Sequence, residues 1–210
     1  MPEGTLPARR RLPPAARLPQ LLDAAFEEFA AQGYAGATMT GVAARAGVAK
    51  GLVYHYFPTK EALFRAVVQA AIEPAFAAAE REVAAFGRSA TEMLRALFDI
   101  AYRPPIAEDR QRLLFRMMLA EAERFPEISA WYEETVLRRE REIIGALLAH
   151  GVRTGEFRAE VAERAGMAEV LIGPAIAAEV WRMLMGEARA PARDVLREAH
   201  WAMVMAALRA

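Results

Sequence analysis

The chain of 210 residues contains no cysteine. This absence excludes disulfide bonds, thiolate metal sites and cysteine nucleophiles together. The chain also has no run of about 18 apolar residues that would span a membrane. The N-terminal segment MPEGTLPARRRLPPAAR lacks the apolar stretch of a secretion signal. Because 55% of the residues are hydrophobic and the formal net charge is zero, we predict a soluble cytoplasmic protein in which any nucleic-acid site is local.

Signals for β-strands are scarce as well. Alternating runs of Val, Ile and Thr are missing, whereas apolar residues recur at spacings of three and four, which is typical of amphipathic helices. We therefore predict an all-α fold of about nine helices. The longer helices are expected at about 90–102, 107–124, 126–153, 162–186 and 191–209.

Four helices are expected before these. The first carries an apolar stripe and stops at Gly33, and the second is capped by Thr38 and ends at Gly47. The third begins near Ala49 and is broken by Pro58. The fourth is capped by Thr59 and runs toward Pro74. Two short helices joined by the glycine-containing turn AGVA predict a helix-turn-helix.

Lysine is the rarest of the common charged residues here. The only two lysines, Lys50 and Lys60, flank an aromatic cluster that contains Tyr54 and His55. A lysine ammonium and the free N–H groups of a helix N-terminus both suit phosphate. Residues 1–65 carry a net charge of +3 and the remainder −3. The stretch fits a groove-reading helix held by phosphate contacts at both ends, or else aromatic core residues with two lysines present by chance.

The segment GYAGATMTGVAARAGVAKGLVYHYFPTKEAL, residues 33–63, resembles the DNA-binding signature of the tetracycline-repressor (TetR) family of transcriptional regulators. The resemblance implies a helix-turn-helix domain at 15–62 and a larger helical domain for ligand binding and dimerisation at 63–210. The Pro- and Arg-rich composition of residues 1–14 predicts a flexible basic arm. It implies that Lys50, Tyr54, His55 and Lys60 contact the DNA backbone. The full set of predicted DNA-binding residues in the helix-turn-helix is Thr38, Thr40, Lys50, Gly51, Leu52, Tyr54, His55 and Lys60.

Three positions depart from the family pattern. Ala49 replaces the usual hydroxyl cap of the recognition helix, and Gly41 replaces a polar helix former. The glycine is expected to cost about 0.5–1 kcal/mol in helix propensity. Leu52 stands where a small hydroxyl residue is common, and it can pack inward or touch a thymine methyl. These departures concern the operator sequence rather than the mode of binding.

The arginines of the N-terminal arm, Arg9, Arg10 and Arg11, have two interpretations. They can form a solvated tail, as charged termini commonly do. They can also enter an adjacent minor groove of the DNA.

The last two predicted helices are apolar on more than one face, so one face can pack on the body while another meets a partner. The family resemblance implies a homodimer built from these helices. The alternatives are burial within one chain, or a helical interaction module that binds a protein or membrane surface. The predicted dimer-interface residues are Trp181, Leu184, Met185, Leu196 and Met203.

Large side chains in the middle helices belong either to the core or to a ligand cavity. The family resemblance favours a cavity. If these bulky apolar residues face it, they predict a small lipophilic inducer, uncharged or cationic, with Glu121 tuning selectivity. The residues predicted to line the cavity are Phe98, Tyr102, Met117, Met118, Glu121 and Trp131.

Catalysis finds no support in the sequence. His55, His150 and His200 fall on different predicted helices, and no hydrolase, metalloprotease or nucleotide-binding motif occurs. We expect no enzyme activity, no metal and no cofactor. The expected function is that of a homodimeric repressor that a small lipophilic ligand releases from a palindromic double-stranded DNA operator.

Overall fold

The computed structural model describes residues 14–84, 89–103 and 108–209. All regular secondary structure in these ranges is helical, and the β-type pairing found there is one isolated bridge between Phe157 and Arg209. The predicted all-α fold is therefore confirmed. The chain divides into two compact units, of which the first ends at Val67 and the second begins at Val68. Arg9, Arg10 and Arg11 lie outside the described residues.

The helices of the first unit form the predicted helix-turn-helix. They are α1 (Pro14–Gly36), α2 (Met39–Ala46), α3 (Lys50–Tyr56) and the start of α4 (Lys60–Val83). Helical geometry breaks within α1 at Gly33, where φ is 68°. Gly47 follows α2 with φ 63° and ψ 34°. Because only glycine enters these positive-φ conformations at little cost, the two glycines stop their helices where the sequence predicted.

Hydroxyl caps fix the starts of α2 and α4. Thr38 Oγ1 accepts a hydrogen bond of 2.9 Å from the backbone N–H of Gly41, and Thr59 Oγ1 accepts one of 3.1 Å from that of Ala62. Both caps were predicted. Ala49 stands at the corresponding position of α3 and offers no side-chain hydrogen bond, so one N–H group at the start of α3 remains open to an outside acceptor.

Aromatic rings form the core between α1 and α4 in the first unit. Phe29 lies edge-on to Phe64 with centroids 5.1 Å apart, and Tyr34 lies 4.9 Å from Phe64. All three side chains are buried. Helix α4 does not end near Pro74, as the sequence suggested, but continues to Val83. Pro74 is exposed, so the backbone hydrogen bond that it cannot make is lost where water can replace it.

The second unit contains the rest of α4 and seven further α-helices in the described ranges. The helices are α5 (Ala90–Ala101), α6 (Glu108–Glu121), α7 (Pro126–Tyr132), α8 (Arg138–Arg153), α9 (Ala159–Ala162), α10 (Met167–Met185) and α11 (Arg193–Leu208), with a π-helical segment at Glu133–Leu137. Helix α7, the π segment and α8 form one run that matches the prediction of 126–153. The predicted helix 162–186 begins only at Met167, because Gly166 has φ 82° and interrupts it.

One described helix, α4, is long and apolar enough to cross a membrane by its length and composition. The folded structure uses those apolar residues in two places. Leu63, Phe64 and Val67 are buried in the first unit, and six residues between Val68 and Ala79 line a cavity in the second. The apolar character of α4 thus has a role in both units.

Candidate DNA-binding surface and ligand cavity

Helix α3 presents the predicted DNA-binding side chains on its outer surface. Lys50, Gly51, Tyr54 and His55 are exposed, and Val53 is fully buried beneath them. The Lys50 ammonium lies 5.6 Å from the centroid of the Tyr54 ring. A short helix with a buried anchor and a cationic, hydrogen-bonding outer face has the geometry required to enter a major groove.

The other predicted contact residues surround α3. Thr38 and Thr40 are exposed at the start of α2, and Leu52 is half-buried. The partial burial of Leu52 is consistent with inward packing, and the rest of its surface remains available for contact with a thymine methyl. After the exposed face of α3 the chain turns inward, because Phe57 is buried. Thr38 and Thr40 on α2 are thus accessible like the outer residues of α3, and the contacts of all these residues with DNA remain predictions.

Lys60 already has partners in the protein. Its half-buried ammonium donates hydrogen bonds to the backbone oxygens of Tyr34 and Ala35, at 2.9 and 3.0 Å, and lies 4.9 Å from the centroid of the Tyr34 ring. A cation at the C-terminal end of a helix satisfies carbonyls that the helix leaves unpaired. Lys60 therefore ties the end of α1 to the start of α4. Contact with phosphate would be an additional role and is still a prediction.

The packing of α2 against α1 explains why position 41 is a glycine, although glycine is a poor helix former. Glu28 on α1 is buried and forms an ion pair of 2.7 Å with Arg45 on α2. It also accepts a hydrogen bond of 3.3 Å from the backbone N–H of Thr38. A Cβ atom at Gly41 would lie 2.0 Å from Glu28 Oε1. Glycine therefore lets α2 approach the buried carboxylate that positions it against α1.

The second unit encloses a largely apolar cavity of about 350 Å³. Its walls come from α4, α5, α6, α8 and α10, with contributions from the end of α7 and the π-helical segment. Apolar lining residues include Val68, Ile72, Phe76, Leu97, Ile100, Leu114, Phe115, Met118, Val136, Ile143, Ile144, Ile172 and Met183. The size and lining are those of a site for a small organic ligand.

Of the six residues predicted to line a cavity, Met118 lines this one and the other five do not. Phe98 and Tyr102 are buried in the core, where the Tyr102 hydroxyl and His200 Nδ1 lie 3.1 Å apart. Met117 is buried, and Glu121 and Trp131 are half-buried away from the cavity. On α6, Leu114, Phe115 and Met118 line the cavity, whereas Met117 and Glu121 do not. The sequence did not distinguish these two groups.

Glu140 on α8 lines the cavity and was missed from the sequence. Burial raises the pKa of its carboxyl to about 7, with Glu169 adding to the increase and Arg141 opposing it. Tyr132, another lining residue, has its pKa raised to about 12 by burial and by the charge of Glu140. Glu140 lies in the charged run RRERE, which is typical of a solvated helix face. The apolar spacing of Val136, Ile143 and Ile144 around it was the signal that could have placed it inward.

An exposed apolar face runs along α10 and α11. Leu184 is 75% exposed and Met203 69% exposed, and Trp181 and Met185 are also exposed. Leu196 is half-buried and packs against the core of the unit. Large exposed apolar side chains are typical of a surface to which a partner binds. Four of the five predicted interface residues are thus accessible to a partner, and the dimer remains a prediction.

Metal binding finds no support in the part of the chain that the structure describes, because no group of three or more His, Asp or Glu residues there could hold an ion.

Family models match both units. Residues 21–67 match the model of bacterial regulatory proteins of the tetR family. Residues 101–210 match the model of the C-terminal domain of AefR-like transcriptional repressors. The chain is 28% identical over 148 residues to the HTH-type transcriptional repressor KstR2 of Rhodococcus jostii, an alignment that covers 69% of this chain and 70% of that protein.

Solved structures share the fold. The SmeT–triclosan complex superimposes with a TM-score of 0.74 at 22% identity, over 93% of this chain and 92% of the other. A putative transcriptional regulator of Saccharomonospora viridis in complex with choline gives a TM-score of 0.67 at 20% identity, over 93% and 98%. The two family models and the repressor KstR2 identify a DNA-binding regulator and not an enzyme. The chain belongs to the TetR family of bacterial transcriptional regulators.

Proposed function

We propose that the protein is a cytoplasmic homodimeric repressor that binds a palindromic operator and is released from it by a small lipophilic molecule. The observation that carries the proposal is the outer face of α3, where Lys50, Tyr54 and His55 are exposed beside one another above the buried Val53. The name of a relative, a transcriptional repressor, supports repression rather than activation.

The α3 surface is suited to bind both backbone and bases. The Lys50 ammonium and the Tyr54 hydroxyl offer donors for phosphate oxygens, and these contacts would fix the register of the helix in the groove. Gly51 adds no side chain and Leu52 adds a partly exposed apolar group, which can meet a thymine methyl. The N–H group left open by Ala49 is a further donor for a phosphate at the start of α3.

Dimerisation would follow from the exposed face of α10 and α11. Leu184 and Met203 are more than two-thirds exposed, so a second copy of the same face would remove a large apolar area from water. A two-fold dimer presents two recognition helices, and a palindromic operator repeats its half-site by the same symmetry.

Release by a ligand would act through α4. This helix begins at Lys60 in the first unit and contributes Val68, Ile72 and Phe76 to the cavity of the second. A ligand that binds more tightly to a conformation with a different spacing of the two DNA-binding heads would shift the protein away from the operator. A differential affinity of a few kcal/mol is sufficient for that shift. Two proteins of this fold were solved with small organic molecules, choline and triclosan.

The experiment is a gel shift with the DNA that flanks the gene of this protein. We expect a retarded complex that survives excess competitor DNA, and a protected palindrome on footprinting. Binding that competitor abolishes completely would contradict sequence-specific recognition. A complex that persists with every lipophilic ligand tested would leave DNA binding standing and contradict release by such a ligand.

A further inference from the structure

The cavity wall contains one carboxylate set among apolar side chains. Glu140 projects from α8 between Val136 and the pair Ile143 and Ile144, all of which line the same cavity. The side chain keeps partial accessibility and is one of the residues that line the cavity. An ionised carboxylate in such surroundings is costly unless a cation or several hydrogen bonds compensate it.

The surrounding protein does not supply that compensation. Within the described ranges no hydrogen bond or ion pair to the Glu140 carboxylate is found. The nearest cation that acts on it is Arg141, and the Arg141 guanidinium is bound to Glu169 at 2.6 Å. Glu169 is itself an anion that disfavours the charge on Glu140. The next arginine along α8, Arg139, is committed to Glu73 and Glu80 on α4.

The other charged residues of the cavity wall are ion-paired or exposed to solvent. Arg112 pairs with Glu187 at 3.5 Å, and Glu179 pairs with Arg193 at 3.1 Å. Arg103 is exposed to solvent. Of the two acidic residues that line the cavity, Glu140 is therefore the one that has no ion pair within the described ranges.

We propose that the cavity binds a lipophilic organic cation, with the cationic group at Glu140 and the apolar part against the walls formed by α4 and α6. The inference rests on the proposed function, in which this cavity is the effector site, and it names the charge class of the effector. A cation would supply the missing counter-charge inside a low-dielectric site, where the attraction is much stronger than in water. An anion would meet an uncompensated like charge.

Aromatic rings in the same wall add to this preference. Tyr132, Phe76 and Phe115 line the cavity, and the faces of aromatic rings attract organic cations. The Phe76 ring already has the Arg139 guanidinium 4.6 Å from its centroid. Burial keeps the Tyr132 hydroxyl protonated at neutral pH, so it adds no second negative charge to the cavity wall.

The test uses three probes with the same chain length: decyltrimethylammonium, decanol and decanoate. Each probe is titrated into the full chain by calorimetry at pH 8, where Glu140 is ionised. Its concentration stays below its solubility limit and below the concentration at which it forms micelles. We expect the cation to bind most tightly. Glu140→Gln should weaken binding of the cation by about tenfold or more and leave decanol unaffected. Glu142→Gln, an exposed residue on the same helix, is the matched control and should change nothing.

Contrary results are readily recognised. Decanoate or decanol binding as tightly as the cation, no binding by any probe, or an unchanged cation affinity in Glu140→Gln would each overturn the inference. Thermal unfolding of the variant verifies that it is folded. Operator release separates this inference from the proposed function. If decanoate releases the operator and the cation does not, the charge class is wrong and the repressor proposal stands. If the cation binds through Glu140 but does not release the operator, the inferred site stands and ligand-driven release fails.

Discussion

At the scale of single residues, Glu140 links the stability of the protein to the chemistry of the cavity wall. Its pKa is about 7 in the folded protein, against an ordinary value of 4.5. The folded state therefore holds a proton that the unfolded chain releases, and stability falls as the pH rises from 4.5 to 7. The shift corresponds to about 3 kcal/mol at most. Burial of the Glu140 carboxyl thus lowers the stability of the folded protein above about pH 4.5.

We predict that Glu140→Gln stabilises the protein at pH 8, because the neutral amide removes a buried charge without changing the shape of the side chain. The gain should be about 3 kcal/mol at pH 8 and should fall below about 1 kcal/mol at pH 5, which is close to the ordinary pKa of 4.5. Urea unfolding at the two pH values measures it. The exposed Glu142→Gln serves as the control. A gain of equal size at both pH values would show that the carboxyl of Glu140 is not perturbed by burial.

At the scale of secondary-structure elements, most of the helix-turn-helix could be predicted from the sequence. Gly33, Gly47, Thr38 and Thr59 act locally through backbone conformation or caps, and the structure uses each of them as predicted. The continuation of α4 past Pro74 was not predicted, because a proline on an exposed helix face is tolerated when the packing on both sides continues.

Features that depend on contacts between elements were not predictable in the same way. The reason for Gly41 is the buried Glu28 on another helix. The cavity-facing stripe of α6 and the inward position of Glu140 depend on how α4, α6 and α8 pack, and amphipathic periodicity does not specify which apolar stripe meets which neighbour. Glu121 was therefore chosen as the polar group of the ligand site, whereas the carboxylate in the cavity wall belongs to Glu140.

We predict that Gly41→Ala destabilises the protein by about 1–3 kcal/mol, because the new methyl group would force Glu28 away from Arg45 and Thr38. Gly51→Ala is the matched control. No atom lies within 4 Å of a Cβ at Gly51, so the helix propensity of alanine should stabilise α3 by about 0.5–1 kcal/mol. Urea unfolding followed by circular dichroism compares the two variants. If Gly41→Ala is as stable as Gly51→Ala, the close approach to Glu28 does not constrain position 41.

At the scale of the whole molecule, the proposed repressor is a dimer of two identical chains. We predict that Leu184→Glu disrupts the dimer, because it would bury an unpaired carboxylate and cost several kcal/mol of association free energy. Leu119→Glu, at a leucine that is 54% exposed on α6, should leave the dimer intact. Analytical ultracentrifugation at micromolar concentration measures the assembly. A monomeric wild-type protein would refute the dimer, and the exposed face of α10 and α11 would then require a different partner.

We expect the outer face of α3 to bind the DNA backbone, and the salt dependence of operator affinity measures this contact. Affinity is measured by fluorescence anisotropy over a range of salt concentrations for the wild type, Lys50→Ala and Arg153→Ala. Arg153→Ala is the control, because Arg153 is an exposed residue of α8 in the second unit. We predict that Lys50→Ala weakens binding to all DNA sequences alike and reduces the salt slope by about one unit, whereas Arg153→Ala matches the wild type. An unchanged affinity and slope for Lys50→Ala would contradict this expectation.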